Sequence, residues 1–320
     1  MCTAITYHGK HFYFGRTLDY DRTYGEEVTI VPRSYPLPHI NGKHYGIIGM
    51  AHIADGVPLF YDAVNEKGLA MAGLNFVGNA YFHEYVDGKV NIPCYAFIPW
   101  LLGRCNCVAQ ARILLQNTNI TSKPFSPQYP TAQLHWMLAD KKEAITIESM
   151  ADGLKIYENT PGVLTNNPPF DKQMFHLNNF MHLSPKQPVN LLNNRLKLQT
   201  YSNGMGAMGL PGDLSSQSRF VRATFTKLNS ISGGNQEDVT QFFHILETVS
   251  QTNGCCQMPD GGYEKTIYTS CCDCDKGVYY YTTYENRQIN AVKMGNEALN
   301  SDTLIRYPLV QKQQITWQNI

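Results

Sequence analysis

Strand-length apolar stretches open and close this chain, and amphipathic helical stretches lie between them. That order restricts the folds open to it. Cys2–Tyr7 and His11–Thr17 flank a turn at His8-Gly9-Lys10 and read as a hairpin. Val28–Val31, Tyr45–Ala51 and Leu69–Asn75 carry further strand patterns. Tyr95–Leu102 places apolar residues at helical spacing. A second helix follows, with Asn106 as its candidate N-cap and Val108, Ala111, Leu114 and Leu115 on one face. Leu134–Ala139 and Ala144–Glu148 read as another hairpin, and Asp171–Met181 alternates like a helix. Arg219–Leu228 and Val239–Val249 are the clearest amphipathic helices, and Thr266–Cys272 and Val278–Tyr284 flank a turn at Cys274-Asp275-Lys276-Gly277. Strands, then helices, then strands predict a layered α+β fold.

The chain has 320 residues, with no fixed-period repeat and no long polar linker, so one domain over residues 1–320 is expected. Hydrophobic residues make up 43% and charged residues 16%, a globular composition. Basic and acidic residues balance at 26 each. No basic stripe stands out, which argues against nucleic acid as a partner. An anionic substrate would need a local Arg or Lys. The first residues lack a basic start and an apolar stretch, and no apolar run is long enough to span a bilayer, so a soluble cytoplasmic protein is expected. On that expectation the sequon at Asn119-Ile120-Thr121 carries no meaning. The nine cysteines then read as free thiols rather than a disulfide framework.

Cys2 follows Met1 directly, and cysteine is small enough for the methionine to be trimmed. The product would carry a thiol and a free α-amine on one residue. Their reference pKa values are about 8.5 and about 7.7–8.0, so the amine can act as general base for its own side chain. Taken alone, a second-position cysteine is usually an incidental thiol. Phe14-Gly15-Arg16-Thr17-Leu18-Asp19-Tyr20 lies on the second strand of the expected hairpin. If that strand pairs with the first, Arg16 and Asp19 come close to Cys2. Arg16 would then favour the thiolate, and Asp19 would orient the amine. From spacing alone, a surface Arg–Asp pair is the commoner reading.

Met1-Cys2-Thr3 followed by Phe-Gly-Arg-x-Leu-Asp resembles the start of the choloylglycine hydrolase family, which includes bile salt hydrolases and penicillin V acylases. The resemblance continues through Asn65–Phe76, Leu134-His135-Trp136, Gly162–Pro168, Gly209–Asp213, Ser218–Arg222 and Tyr279–Ile289, in the same order and over nearly the whole chain. It implies an N-terminal-nucleophile hydrolase with an αββα four-layer sandwich, no metal or organic cofactor, and a homotetramer. It implies Cys2 as nucleophile and Arg16 and Asp19 as the pair beside it. Asn75 corresponds to the residue whose backbone N–H lies at the oxyanion, and Asn166 to the side-chain amide that completes that hole. Arg219 corresponds to a buried arginine that supports the site. On residue type alone, Asn75 and Asn166 read as turn residues. Likewise Ser215 or Ser216 reads as a helix cap, and Arg219 as a surface charge on the first turn.

Within the family, asparagine at position 75 points to a conjugated bile salt as substrate, since penicillin V acylases tend to carry tyrosine there. A steroid is a rigid apolar plate, so its pocket should be apolar. Leu18, Tyr20, Tyr24, Ile53, Phe60, Tyr61, Phe125 and Tyr129 match the family's pocket loops, although each also reads as ordinary packing. Tyr61 is bulkier than the small residue of some relatives, which bears on pocket width.

Gly204-Met205-Gly206-Ala207-Met208-Gly209 matches G-x-G-x-x-G, but Pro211 and Gly212 follow at once, so it reads as a tight loop. Cys255-Cys256 and Cys271-Cys272-Asp273-Cys274 lack zinc-knuckle spacing, and no metal is expected. H-E-x-x-H and G-x-S-x-G are absent from the sequence. The rival expectations are a penicillin V or acyl-homoserine lactone acylase and, more distantly, a non-enzymatic cysteine-rich metal or redox protein. Long polar stretches between Phe170 and Gly204 suggest an assembly segment.

Overall fold

The chain opens with two antiparallel strands, β1 (Cys2–His8) and β2 (Phe12–Tyr20), joined by the expected turn. Four strands follow: β3 (Glu27–Val31), β4 (Ile47–Ala54), β5 (Val57–Asn65) and β6 (Ala70–Asn75). Next come β7 (Val90–Pro93), the helices α1 (Phe97–Arg104) and α2 (Val108–Leu115), and β8 (Thr118–Thr121). The middle holds β9 (Leu134–Ala139), β10 (Ala144–Met150), β11 (Gly153–Glu158) and β12 (Val163–Leu164). Three helices, α3 (Phe170–Leu177), α4 (Ser216–Asn229) and α5 (Gln236–Glu247), precede the last strands, β13 (Lys265–Asp273), β14 (Val278–Thr283), β15 (Asn290–Lys293) and β16 (Ile305–Pro308). This computed structural model describes residues 1–234 and 236–319.

Two large sheets stack face to face. One has the order β12-β1-β2-β13-β14-β15, and the other β11-β10-β9-β6-β5-β4-β3-β16. Strand alternation explains the layers. On β9, Met137 and Ala139 point to the first sheet, while Trp136 and Leu138 point the other way, onto α1. On β6, Ala70, Ala72 and Leu74 join the first core, and Met71 joins the second. Phe220 and Ala223 of α4, with Phe242, Ile245 and Leu246 of α5, cover the outer face of the first sheet. The layers are therefore helices, sheet, sheet, helices, the αββα sandwich expected from the resemblance.

The local expectations differ from the structure at identifiable points. Asn106 is not the cap of α2; Cys107 occupies that position, with no side-chain cap bond. The Val108 N–H instead donates to Asp140 Oδ2 at 2.8 Å, from the turn between β9 and β10. The helix expected over Asp171–Met181 is α3 followed by a 3₁₀ turn at Asn178–Phe180. The glycine-rich 204–209 segment is a loop around a 3₁₀ turn at Met205–Ala207, with Gly204 left-handed at φ 83°. The strands β5, β7, β8, β11, β12, β15 and β16 have no counterpart among the strands expected from the sequence.

Gly15 sits where β2 passes β13 with no room for a side chain. A Cβ there would lie 2.1 Å from the Ser270 carbonyl oxygen on β13. The neighbouring pairs Thr17↔Thr269 and Phe14↔Cys272 fix that backbone in place. Gly15→Ala is therefore expected to destabilise the fold by about 1–3 kcal/mol, the usual cost of forced overpacking. Urea unfolding of the two proteins measures it; equal midpoints would mean that β2 and β13 can separate freely.

Candidate active site

Cys2 is the first residue of β1 and pairs with Leu18 of β2. It is 2% exposed and forms part of a cavity wall. On the other side of β1, β12 runs antiparallel with Ala4↔Leu164 in register. Two more residues along that register bring Asn166 level with Cys2. The Cys2 N–H donates to Asn166 Oδ1 at 2.7 Å, and Asn166 Nδ2 donates to the Asn75 carbonyl at 2.8 Å. Strand order sets residues 2 and 166 side by side, and the stacking of the two sheets brings residue 75 to them from the facing sheet.

Arg219 fixes this cluster from below. The Ser215 hydroxyl caps α4, accepting from the Ser218 N–H, and Arg219 lies on the first turn. Hydrogen bonds from Ser215 and Ser218 pull the Asp213 carboxyl down to about 2. The Arg219 guanidinium is fully buried. It donates to the Cys2 carbonyl at 2.5 Å, to Thr3 Oγ1 at 2.7 Å, to Asn166 Oδ1 at 2.8 Å and to the Leu214 carbonyl at 3.0 Å. Because two donors converge on Asn166 Oδ1, the orientation of that amide is fixed, with Nδ2 toward Asn75. Burial lowers the pKa of Arg219, and the charges of Asp19 and Cys2 pull it back.

Arg16 crosses the gap between the sheets. It projects from β2 and donates to the carbonyls of Tyr61 on β5, at 3.1 Å, and Gly73 on β6, at 2.5 Å. Burial opposes its charge, but Cys2, Tyr268, Asp62 and Asp19 outweigh that and raise its pKa. Asp62 sits in a cage beside it. Its oxygens accept from the Tyr268 hydroxyl at 2.6 Å, the Tyr279 hydroxyl at 2.6 Å and Ser270 Oγ at 3.0 Å. Ser270 Oγ in turn accepts from the Arg16 N–H at 3.1 Å.

Asp19 is buried, and burial raises its pKa. Its carboxylate accepts from Thr17 Oγ1 at 3.0 Å and Thr266 Oγ1 at 2.7 Å. The irregularity in β13 between Thr266 and Tyr268 sits beside Asp19, as bulges near sites often re-aim a side chain. Asp19 touches the N-terminus through its backbone: the Met1 ammonium donates to the Asp19 carbonyl at 2.6 Å and to Glu264 Oε1 at 2.9 Å. With Met1 attached, the Cys2 nitrogen is an amide directed at Asn166, not at the Asp19 carboxylate.

The cavity beside Cys2 encloses about 470 Å³. Leu18, Tyr20, Tyr24, Phe60, Tyr61, Phe125 and Tyr129 line it. Ile53 does not. It shares the β4 face of Ala51 and packs into the second core, while His52 on the opposite face joins the cavity wall. His52 Nε2 meets the Tyr129 hydroxyl at 2.9 Å. The Tyr61 ring faces the cavity, and burial, reinforced by Glu26, raises its pKa. His52, Asp62 and Glu264 have no local sequence signal; only long-range pairing brings them here.

The sequence model of the linear amide C-N hydrolases, choloylglycine hydrolase family, matches residues 2–307. The chain belongs to this family. Among relatives, a bile salt hydrolase/transferase of Lactiplantibacillus plantarum is 53% identical over 319 residues, spanning 98% of both chains. A bile salt hydrolase/transferase of Clostridium perfringens is 36% identical over 318 residues, 96% of each chain. In three dimensions, a cysteine-to-alanine mutant of conjugated bile acid hydrolase from Clostridium perfringens superposes with a TM-score of 0.92 at 34% identity, covering 100% of both chains. A penicillin V acylase from Agrobacterium tumefaciens shares the fold, with a TM-score of 0.75 at 21% identity over 95% of this chain and 90% of that one. Family membership makes the chain a hydrolase of linear amide bonds, not a non-enzymatic cysteine-rich metal or redox protein. The nine cysteines are unbridged. Cys271 and Cys272 lie on β13, and Cys274 in the turn after it.

The Arg219 fork sets a stability test for this family member. Arg219→Lys keeps the charge but cannot reach all four acceptors. A buried acceptor left without a partner costs about 1–3 kcal/mol. Urea unfolding is expected to show a loss in that range; a variant as stable as the parent would mean that the fork is dispensable.

Proposed function

We propose that this chain hydrolyses the amide bond joining a bile acid to glycine or taurine, with Cys2 as nucleophile after removal of Met1. The placement of the Cys2 thiol in the wall of an aromatic cavity of about 470 Å³ carries this reading. The activity named for the relatives at 53% and 36% identity supports it. The α-amine takes the thiol proton as Cys2 Sγ bonds to the amide carbon. The carbonyl oxygen becomes an oxyanion, which the Asn75 backbone N–H and the second Asn166 Nδ2 hydrogen stabilise. The C–N bond then breaks, the ammonium protonates the departing nitrogen, and glycine or taurine leaves a thioester behind. Water attacks the thioester through the same base, and the bile acid departs as the thiol is restored.

Arg16 favours the thiolate, Arg219 holds Cys2 against Asn166, and Asp19 balances the charge of the amine. Leu18, Tyr20, Tyr24, Phe60, Tyr61, Phe125 and Tyr129 contact the steroid. Intact mass and glycocholate hydrolysis test the core of this proposal. The active protein should lack Met1, and Cys2→Ala should be inert. Full activity with Met1 retained would overturn it. Asn166→Asp is expected to lower kcat by about 10²–10³, the usual loss for one oxyanion donor. Glycocholate should be turned over faster than penicillin V or an acyl-homoserine lactone, and the reverse order would favour the rival acylases.

Residues 1–320 act as one domain in this proposal, in the cytoplasm and as a homotetramer. The surface between Phe170 and Gly204 supports the assembly. Met181, Leu191, Leu192 and Tyr201 are each more than 80% exposed there. Replacing Met181, Leu191, Leu192 and Tyr201 together with serine should give a monomer by light scattering; an unchanged oligomer would defeat the assignment.

A further inference from the structure

We propose that His135 is a positioning residue that sets the distance between the two sides of the oxyanion hole; this rests on the roles given above to Asn75 and Asn166. His135 sits on β9 and is fully buried. Its ring stacks on Phe76, with centroids 4.3 Å apart and planes 5° from parallel. Phe76 directly follows Asn75, and its N–H donates to the Gln133 carbonyl at 2.8 Å. On the other side, His135 Nε2 donates to the Thr165 carbonyl at 2.8 Å. Thr165 directly precedes Asn166. One imidazole therefore touches both chain neighbours of the proposed oxyanion donors, one by its face and one by its edge.

Glu148 holds the ring in this orientation. His135 Nδ1 meets Glu148 Oε1 at 3.0 Å, with both side chains fully buried. The same Oε1 accepts from the Phe170 N–H at 3.0 Å, at the start of α3. From α3, Gln173 Nε2 donates to the Asn166 carbonyl at 3.3 Å and to Ser216 Oγ at 3.2 Å. Ser216 Oγ accepts from the Asn166 N–H at 2.8 Å. Glu148 thus fixes the backing of Asn166 twice, through His135 and through α3. A stacked, doubly bonded ring has one position, so the gap between Asn75 and Asn166 is set by its thickness and reach.

The test separates oxyanion chemistry from thiol reactivity. Acylation of Cys2 by p-nitrophenyl acetate builds an oxyanion, whereas alkylation by iodoacetamide does not. His135→Gln keeps a donor toward Thr165 but loses the stack and the Glu148 contact. Phe76→Leu removes the stack alone, with little change in volume. Misplacing a donor by about 1 Å costs up to about 100-fold, so each variant should acylate about 10- to 100-fold more slowly. Glycocholate kcat should fall alongside, with KM and the alkylation rate within about threefold of the parent. If His135→Gln does not fold, Phe76→Leu decides alone. Unchanged acylation in a folded variant overturns the proposal, as does acylation that falls only as far as alkylation does. A parent protein that acylates normally but leaves glycocholate intact would sink the bile salt assignment and leave the His135 test standing.

Discussion

A buried guanidinium holds the two ends of this site together. Arg219 reaches from α4 to the Cys2 carbonyl, the Thr3 hydroxyl and the Asn166 side chain. Its charge is desolvated and, among the described residues, has no carboxylate hydrogen-bonded to it, so its neutral acceptors offset much of the cost of burial, helped by the charges of Asp19 and Cys2. Remove any of them and the arginine is left exposed to that penalty. The helix layer, the first sheet and Cys2 are therefore interdependent. Arg16 plays the matching part across the sheet interface, joining β2 to the carbonyls of Tyr61 and Gly73.

Arg16 bonds to backbone carbonyls, and Arg219 to two backbone carbonyls, a hydroxyl and an amide oxygen, groups that do not titrate as carboxylates do. Carbonyls do not titrate, so the positions they fix do not depend on pH. The carboxylates nearby are held differently. Asp62 and Asp19 accept chiefly from hydroxyls, and burial raises both above the ordinary range. Cations bonded to carbonyls, beside anions bonded to hydroxyls, leave a field that is fixed in direction around the sulfur. Such preorganised dipoles need no rearrangement when charge develops.

Much of this arrangement was legible in the sequence, and the parts that were not share a cause. The β1–β2 hairpin follows from two strand-length runs flanking the turn at Gly9, and once those strands pair, Arg16 and Asp19 lie near Cys2. Asn75, Asn166 and Arg219 emerged only from the family motifs, because three separate elements deliver them. Asn106 was misread because the group that binds the first turn of α2 is Asp140, 32 residues downstream. Ile53 comes from the family's pocket loops, yet here it packs into the second core and does not line the cavity. Asp62, Glu264 and His52 had no motif at all. Each matters through partners on other strands, and only the fold supplies them.

The stretch from residue 178 to residue 215 contributes nothing to either core among the described residues. Met181, Leu191, Leu192 and Tyr201 point outward from it, while its end at Asp213–Ser215 anchors α4 and accepts from Arg219. Substitutions at those four outward positions alter what the molecule meets more than how it is built. That outer face can therefore change by substitution while the packing around Cys2 stays as it is.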